Sequence, residues 1–176
     1  MKIALVVALS FVASSDPYGL YKLYKTKRAK AVVGYAVTHN EDPYELLAIA
    51  ITESNLNPKA VSSAGAVGLM QVMCKFWYKR FDYKSIIECN KGLLKPQANI
   101  RAGVEILTLY RNNYKQCAGD YAYRCYYAGK GWRKFRGKTK KSIIRYENKV
   151  RERREFLHKH YSKFIEDIRD SYIERS

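Results

Sequence analysis

Apolar positions along the chain fall mostly at helical spacing. In Leu46-Leu47-Ala48-Ile49-Ala50-Ile51-Thr52-Glu53-Ser54, a turn of about 100° per residue puts Glu53 on the face of Leu46, Ile49 and Ala50, so an inward stripe carries an acid with it. Upstream, Asp42-Pro43-Tyr44-Glu45 supplies an N-cap, a proline at the first helical position and a capping-box acid. Asn, Ser and Pro make residues 55–65 a loop, and residues 69–81 include a short helix. After a turn at Cys89-Asn90-Lys91-Gly92, residues 96–114 form a long helix with Ile100, Val104, Leu107 and Tyr110 on one side. Residues 121–128 read as helical, and Gly129, Gly131 and Gly137 punctuate the loop behind them. From Ser142 onward, Ile143, Tyr146, Val150, Leu157, Tyr161, Phe164, Ile168 and Tyr172 recur at near-helical spacing opposite a charged face. Packing back on the domain suits such a face better than lying on a membrane, where a more lopsided cationic face is usual. Strand-period alternation and internal repeats are missing from the pattern.

A carboxyl drawn into an apolar face holds its proton to higher pH, which suits a general acid working near neutrality. The pattern around Glu53 extends this reading. Glu53-Ser54-Asn55-Leu56-Asn57-Pro58-Lys59-Ala60-Val61-Ser62 is followed by Gly65-Ala66-Val67-Gly68-Leu69-Met70-Gln71-Val72-Met73, then by Asn99-Ile100-Arg101-Ala102-Gly103 and Tyr126-Tyr127-Ala128-Gly129, with Tyr146 beyond. Together these blocks resemble the family 1 lytic transglycosylases of the lysozyme-like superfamily over roughly residues 40–150. Two positions depart from that pattern: Tyr127 replaces the asparagine of Y-N-A-G, and Cys74 replaces a proline.

The resemblance implies a mainly α, lysozyme-like single domain of the goose-lysozyme and transglycosylase type. Residues 1–15 would be a signal peptide, residues 16–150 the catalytic domain and residues 151–176 an extra C-terminal amphipathic helix. It further implies cleavage of the bond between N-acetylmuramic acid and N-acetylglucosamine without water, giving 1,6-anhydro ends. Glu53 would be the single acid/base, with no metal or organic cofactor. Ser62 would lie beside the carboxylate, and Gln71 and Met73 would line the sugar groove. Tyr126 would hold the glutamate and the muramyl unit, Tyr127 would meet the sugar where the family has asparagine, and Tyr146 would close the pocket. Gly65 and Gly68 would permit a tight backbone.

A lysozyme-type hydrolase is the alternative, and it would need a second carboxylate about 6.5–9.5 Å away to activate water. Glu41, Asp42 and Glu45 sit at the far end of the same helix, whereas Asp82, Glu88 and Asp120 could approach through folding. A basic, non-catalytic binder of glycan or nucleic acid is the third reading.

Composition adds three points. The 176 residues, 47% hydrophobic, suit one core. Lys2 ahead of an apolar run over residues 3–13, then Ala13-Ser14-Ser15, reads as an export signal too short to span a bilayer. A periplasmic or secreted place in the envelope follows, and in such a compartment the four cysteines are expected as disulfides. Of three possible pairings, Cys74 with Cys89 and Cys117 with Cys125 is favoured because each brackets a short insertion-like segment. The net charge of +17 gathers at Lys22, Lys25, Lys27, Arg28 and Lys30, and again at Lys130, Arg133, Lys134, Arg136, Lys138, Lys140 and Lys141. Such runs attract anionic envelope polymers besides the peptidoglycan strand itself, with no specific nucleic acid expected.

Overall fold

A computed structural model describes residues 26–173. The expected signal segment, and Lys22 and Lys25 of the first basic cluster, lie outside them. Seven α-helices make up the described part: α1 Lys27–Thr38, α2 Pro43–Ser54, α3 Cys74–Trp77, α4 Ile86–Gly92, α5 Pro96–Asn113, α6 Tyr121–Ala128 and α7 Gly137–Ile173. Short 3-10 turns at Lys115–Cys117 and Trp132–Lys134 flank α6. None of the described helices is long and apolar enough to cross a membrane.

Helix α2 is the buried axis of this arrangement. Residues 46–50 are wholly inaccessible, and α1, α7 and the loop after α2 pack around them. Asp42 caps it, its Oδ1 accepting from the backbone N–H groups of Tyr44 and Glu45 at 2.9 and 3.2 Å. Glu45 does more than the capping box expected of it. It is buried, accepts two hydrogen bonds from the Arg111 guanidinium at 2.7 and 3.2 Å, and takes the Tyr123 hydroxyl at 2.5 Å. A buried carboxylate must be paired in this way to be tolerated, and the pairing ties α2 to α5 and α6.

Helix α7 runs antiparallel along α2 in one piece past position 150, kinked at Tyr161 where φ is −128° and ψ 16°. Of its expected stripe, Ile143, Tyr146, Val150, Leu157, Tyr161 and Ile168 are buried, whereas Phe164 is half-buried with Ile165 taking the inner position and Tyr172 is exposed. Arg154 donates to Asp42 at the start of α2, and Arg153 to Thr52 near its end at 2.8 Å.

Two segments differ from the sequence reading. The first basic cluster continues as α1, whose Ala29, Val32, Val33 and Ala36 are buried while Lys27 and Arg28 stay outward; the charge at its start hid an amphipathic period. Cys89-Asn90-Lys91-Gly92 is the last turn of α4, started by a Ser85 cap to the Glu88 N–H at 3.1 Å. Both favoured disulfides are formed, Cys74 with Cys89 and Cys117 with Cys125.

Asn99 and Gly103 on α5 seat the loop that follows α2. The buried Asn99 side chain accepts from the Met70 N–H at 2.6 Å and donates to the carbonyls of Val67 and Leu93, each at 2.9 Å. A β-carbon at Gly103 would come within 2.6 Å of the Met70 side chain, and one at Gly68 within 2.3 Å of the Asn99 amide. The N-x-x-x-G spacing thus lets α5 press one turn onto the loop. Replacing Asn99 by Ala leaves one N–H and two carbonyls without this partner. A loss of about 2–4 kcal/mol is expected, seen as a fall of about 5–15 °C in the thermal midpoint.

Candidate active site

Glu53 lies in the last turn of α2, where the chain reverses sharply. Asn55 and Leu56 take consecutive left-handed conformations, φ 54° and 59°, an arrangement that costs energy in a non-glycine residue and clusters at functional sites. Burial of the Leu56 side chain and an Arg28 hydrogen bond to its carbonyl hold the turn. Ser54 donates to the Leu69 carbonyl at 2.9 Å, drawing the glycine-bearing loop against the end of α2. In that loop Gly65, Gly68 and Gln71 also have positive φ, at 83°, 77° and 48°. Val67 exchanges hydrogen bonds with Val72 across the tight turn between them.

Glu53 is half-buried as a residue, yet protein surrounds its carboxyl closely enough that burial pushes its pKa up to about 7, against the opposing pull of one hydrogen bond from Tyr146. The Tyr146 hydroxyl donates to Glu53 Oε1 at 2.5 Å. Burial and the adjacent Glu53 charge hold the Tyr146 phenol well above its ordinary pKa, and the same two causes act on Tyr126. Both rings therefore stay neutral donors over the whole range in which Glu53 titrates. The Tyr126 hydroxyl donates to the Met70 carbonyl at 2.7 Å, fixing α6 to the loop that Asn99 also holds.

Next to this group runs a groove of about 570 Å³ lined by Gln71, Met73, Phe76, Trp77, Tyr110, Tyr114, Tyr126 and Tyr127, ending at Lys130 and Gly131. Trp77 meets Tyr110 edge to face at 5.9 Å, and Tyr110 leans toward Tyr114 at 6.0 Å. Apolar ring faces with polar tips suit the alternating C–H and hydroxyl surfaces of a sugar. Tyr127, half exposed, stacks on Tyr146 at 4.8 Å and 26°. The ring standing where the resembling pattern has an amide thus roofs the phenol that holds Glu53.

The residues expected at the site divide into three groups. Gln71, Met73, Tyr126 and Tyr127 line the groove. Glu53 and Tyr146 sit together beside it, joined to it through Tyr126 and Tyr127. Ser62 stands in the loop after α2, where its Oγ accepts the Ala66 N–H at 3.0 Å and closes the turn that holds Gly65. The Gln71 amide likewise donates to the Gly68 and Ala60 carbonyls at 2.9 and 3.3 Å, so it shapes the loop as well as the groove wall.

Sequence reasoning passed over Ser54, Trp77, Tyr110 and Tyr114. Tyr110 was legible only as one apolar position of α5, and the tyrosines gave no individual signal because packing explains most of them equally well. Of the acids raised as partners for water, four have partners of their own. Glu45 pairs with Arg111, Asp42 with Arg154 and Asp120 with Arg151, while Glu88 accepts the Lys84 N–H. Among the described residues, three or more metal-ligating side chains do not come together anywhere.

A buried acid under a phenol, at the side of an aromatic groove and behind a glycine-bearing loop, is the arrangement that the sequence blocks carry. The Transglycosylase SLT domain family matches residues 30–148, and the chain belongs to that family. It is 38% identical over 95 residues to the membrane-bound lytic murein transglycosylase C of Salmonella arizonae, covering 50% of this chain and 26% of that protein. With the protein of the same name from Yersinia pestis it shares 40% over 72 residues, or 39% of this chain and 20% of that one. The fold is similar to that of an inactive mutant of lytic transglycosylase Slt from Pseudomonas aeruginosa, with a TM-score of 0.51 and 20% identity over 95% of this chain and 27% of that one. The chain thus spans about a quarter of the length of these proteins.

The raised pKa has a consequence for stability. Below about pH 4.5 both folded and unfolded chains hold the Glu53 proton; between about 4.5 and 7 the unfolded chain releases it first, so the folded state loses ground, and above 7 the penalty is complete. The full shift corresponds to about 3 kcal/mol, lowered by the residue's partial exposure. Glu53→Gln should therefore be more stable than the parent by a margin that opens from pH 4.5 to 7 and levels at about 1–3 kcal/mol, as read by denaturant melts across pH. A margin independent of pH would mean that Glu53 titrates at its ordinary value.

Proposed function

We propose that this chain cleaves peptidoglycan glycan strands as a lytic transglycosylase, with Glu53 as the single acid/base. The observation that carries the reading is a carboxyl holding its proton to about pH 7 beside an aromatic groove, with a neutral phenol fixed on one oxygen. At neutral pH such a group is present in both forms, and the reaction needs both in turn.

Protonated Glu53 donates to the oxygen linking N-acetylmuramic acid to N-acetylglucosamine as the bond from that oxygen to muramyl C1 breaks. The carboxylate left behind takes the proton of the muramyl C6 hydroxyl while O6 attacks C1, closing a 1,6-anhydro ring. Glu53 regains its proton, and water is neither consumed nor released. Tyr146, neutral throughout, stabilises the carboxylate form by its hydrogen bond and holds the group in place. Tyr126 and the groove aromatics position the muramyl unit and its neighbours, and Met73, Gln71 and Tyr127 line that path. Ser62 supports the loop from behind. Engagement of Asp42, Glu45, Glu88 and Asp120 elsewhere removes four of the carboxylates that a hydrolytic scheme could recruit to activate water. The substrate places the working enzyme at the cell wall, in keeping with the export signal and oxidised cysteines expected from the sequence.

Mass analysis of released muropeptides tests the reading. The expected products end in 1,6-anhydro-N-acetylmuramic acid, about 18 Da lighter than hydrolytic ones and resistant to borohydride. Glu53→Gln should lower turnover by about 10²–10⁴-fold with strand binding retained. A dominant reducible end would replace this reading with a lysozyme-type hydrolase, and activity within about tenfold of the parent would remove Glu53 from the mechanism.

A further inference from the structure

The groove does not stop at Lys130 and Gly131. The same two residues form one edge of an open depression of about 500 Å³ whose other walls are Lys115, Gln116, Arg133 and Lys134. Four of its six lining residues are cations and none is an acid. Between positions 115 and 141 the chain carries nine Lys or Arg and a single acid, Asp120, which Arg151 neutralises. Among the described residues, Lys115, Lys130, Arg133 and Lys134 take part in no ion pair.

The segments that line this depression are tied together. Trp132, almost wholly buried, donates its indole N–H to the Gln116 carbonyl at 3.0 Å, and the Gln116 amide reaches the Lys130 carbonyl at 3.3 Å. The Cys117 to Cys125 disulfide pins the turn that bears Lys115 to α6. Lys130 Nζ lies over the ring of Tyr114, itself a groove wall, at 4.9 Å. Arg124, Arg133 and Lys140 crowd one indole, at 4.6, 5.2 and 4.0 Å from Trp132. Lys140 is pulled below its ordinary pKa by desolvation and by the neighbouring cations Arg124, Arg136 and Arg133, the electrostatic condition that an arriving anion relieves.

We propose that this cationic depression is an extension of the substrate groove that binds carboxylates carried on the peptide stems of the glycan strand, so that the protein favours stem-bearing strands over neutral ones. The inference rests on the glycan-cleaving reading of the groove. Continuity through Lys130 and Gly131 places the cations where a strand lying in the groove would present its side branches. Several neighbouring cations with no fixed counter-ion favour a substrate bearing repeated carboxylates over a neutral sugar polymer.

The test reads binding and so does not depend on turnover. Lys115→Gln, Arg133→Gln and Lys134→Gln are combined, leaving Lys130 in the groove wall, and affinity is measured for stem-bearing peptidoglycan strands and for uncharged N-acetylglucosamine oligomers at low and high salt. Binding of stem-bearing strands should weaken by about tenfold at low salt and lose most of its salt dependence, while the neutral oligomer binds as to the parent. The charge-preserving set Lys115→Arg, Arg133→Lys and Lys134→Arg should restore binding, which a folding defect would not allow. Equal loss on both ligands, loss on neither, or tighter binding of duplex DNA than of stem-bearing strands would overturn the proposal. Anhydro products with an unaltered strand affinity would sink this inference alone, and altered affinity without anhydro products would sink only the reaction scheme.

Discussion

Everything at the site depends on one carboxyl being held among apolar groups with a single phenol for company. Left in water, Glu53 would be ionised throughout the neutral range. Removed from water with a full set of donors, it would be ionised more firmly still. The protein takes the course between: burial raises the pKa and Tyr146 returns part of the shift, so the two forms balance near pH 7. The cost is carried by the packing of α2, whose residues 46–50 are wholly inaccessible.

The other features of the fold keep that carboxyl in place. Helix α7 brings Tyr146 to the end of α2 and holds the helix through Arg153 and Arg154. Ser54 and Asn99 both hold the glycine-bearing loop, and Tyr126 closes on the Met70 carbonyl. Glu45 shows by contrast what a carboxylate two turns earlier becomes when it is given partners. With Arg111 and Tyr123 on its oxygens it is a structural tie between helices, although it shares the apolar environment of the same helix.

Much of this was legible in residue patterns because local physics determines it. The Asp42-Pro43 start of α2, the inward position of Glu53, the long α5 and the returning amphipathic α7 all follow from caps and a 3.6-residue period. The two disulfides are the pairing that short separations, 15 and 8 residues, favoured among three. What the pattern hid depends on contacts distant along the chain. Glu45 is 66 residues from Arg111, so nothing local separates its buried pairing from a capping box. The groove aromatics Trp77, Tyr110 and Tyr114 come from α3, α5 and the residue just after α5, and among sixteen tyrosines these two carry no motif that marks them before folding assembles the groove. Helix α1 was masked by lysines at its start, which sit outside its buried face.

The measurement closest to the central claim is a carbon-13 NMR titration of the Glu53 side-chain carboxyl in the folded protein, assigned by its loss in Glu53→Gln and repeated in Tyr146→Phe. This balance of burial against one hydrogen bond predicts a midpoint near pH 7 in the parent and a higher one once the phenol is gone, because the Tyr146 hydrogen bond favours the ionised form. A midpoint near 4.5 in the parent, or one that falls when Tyr146 is replaced, would contradict it.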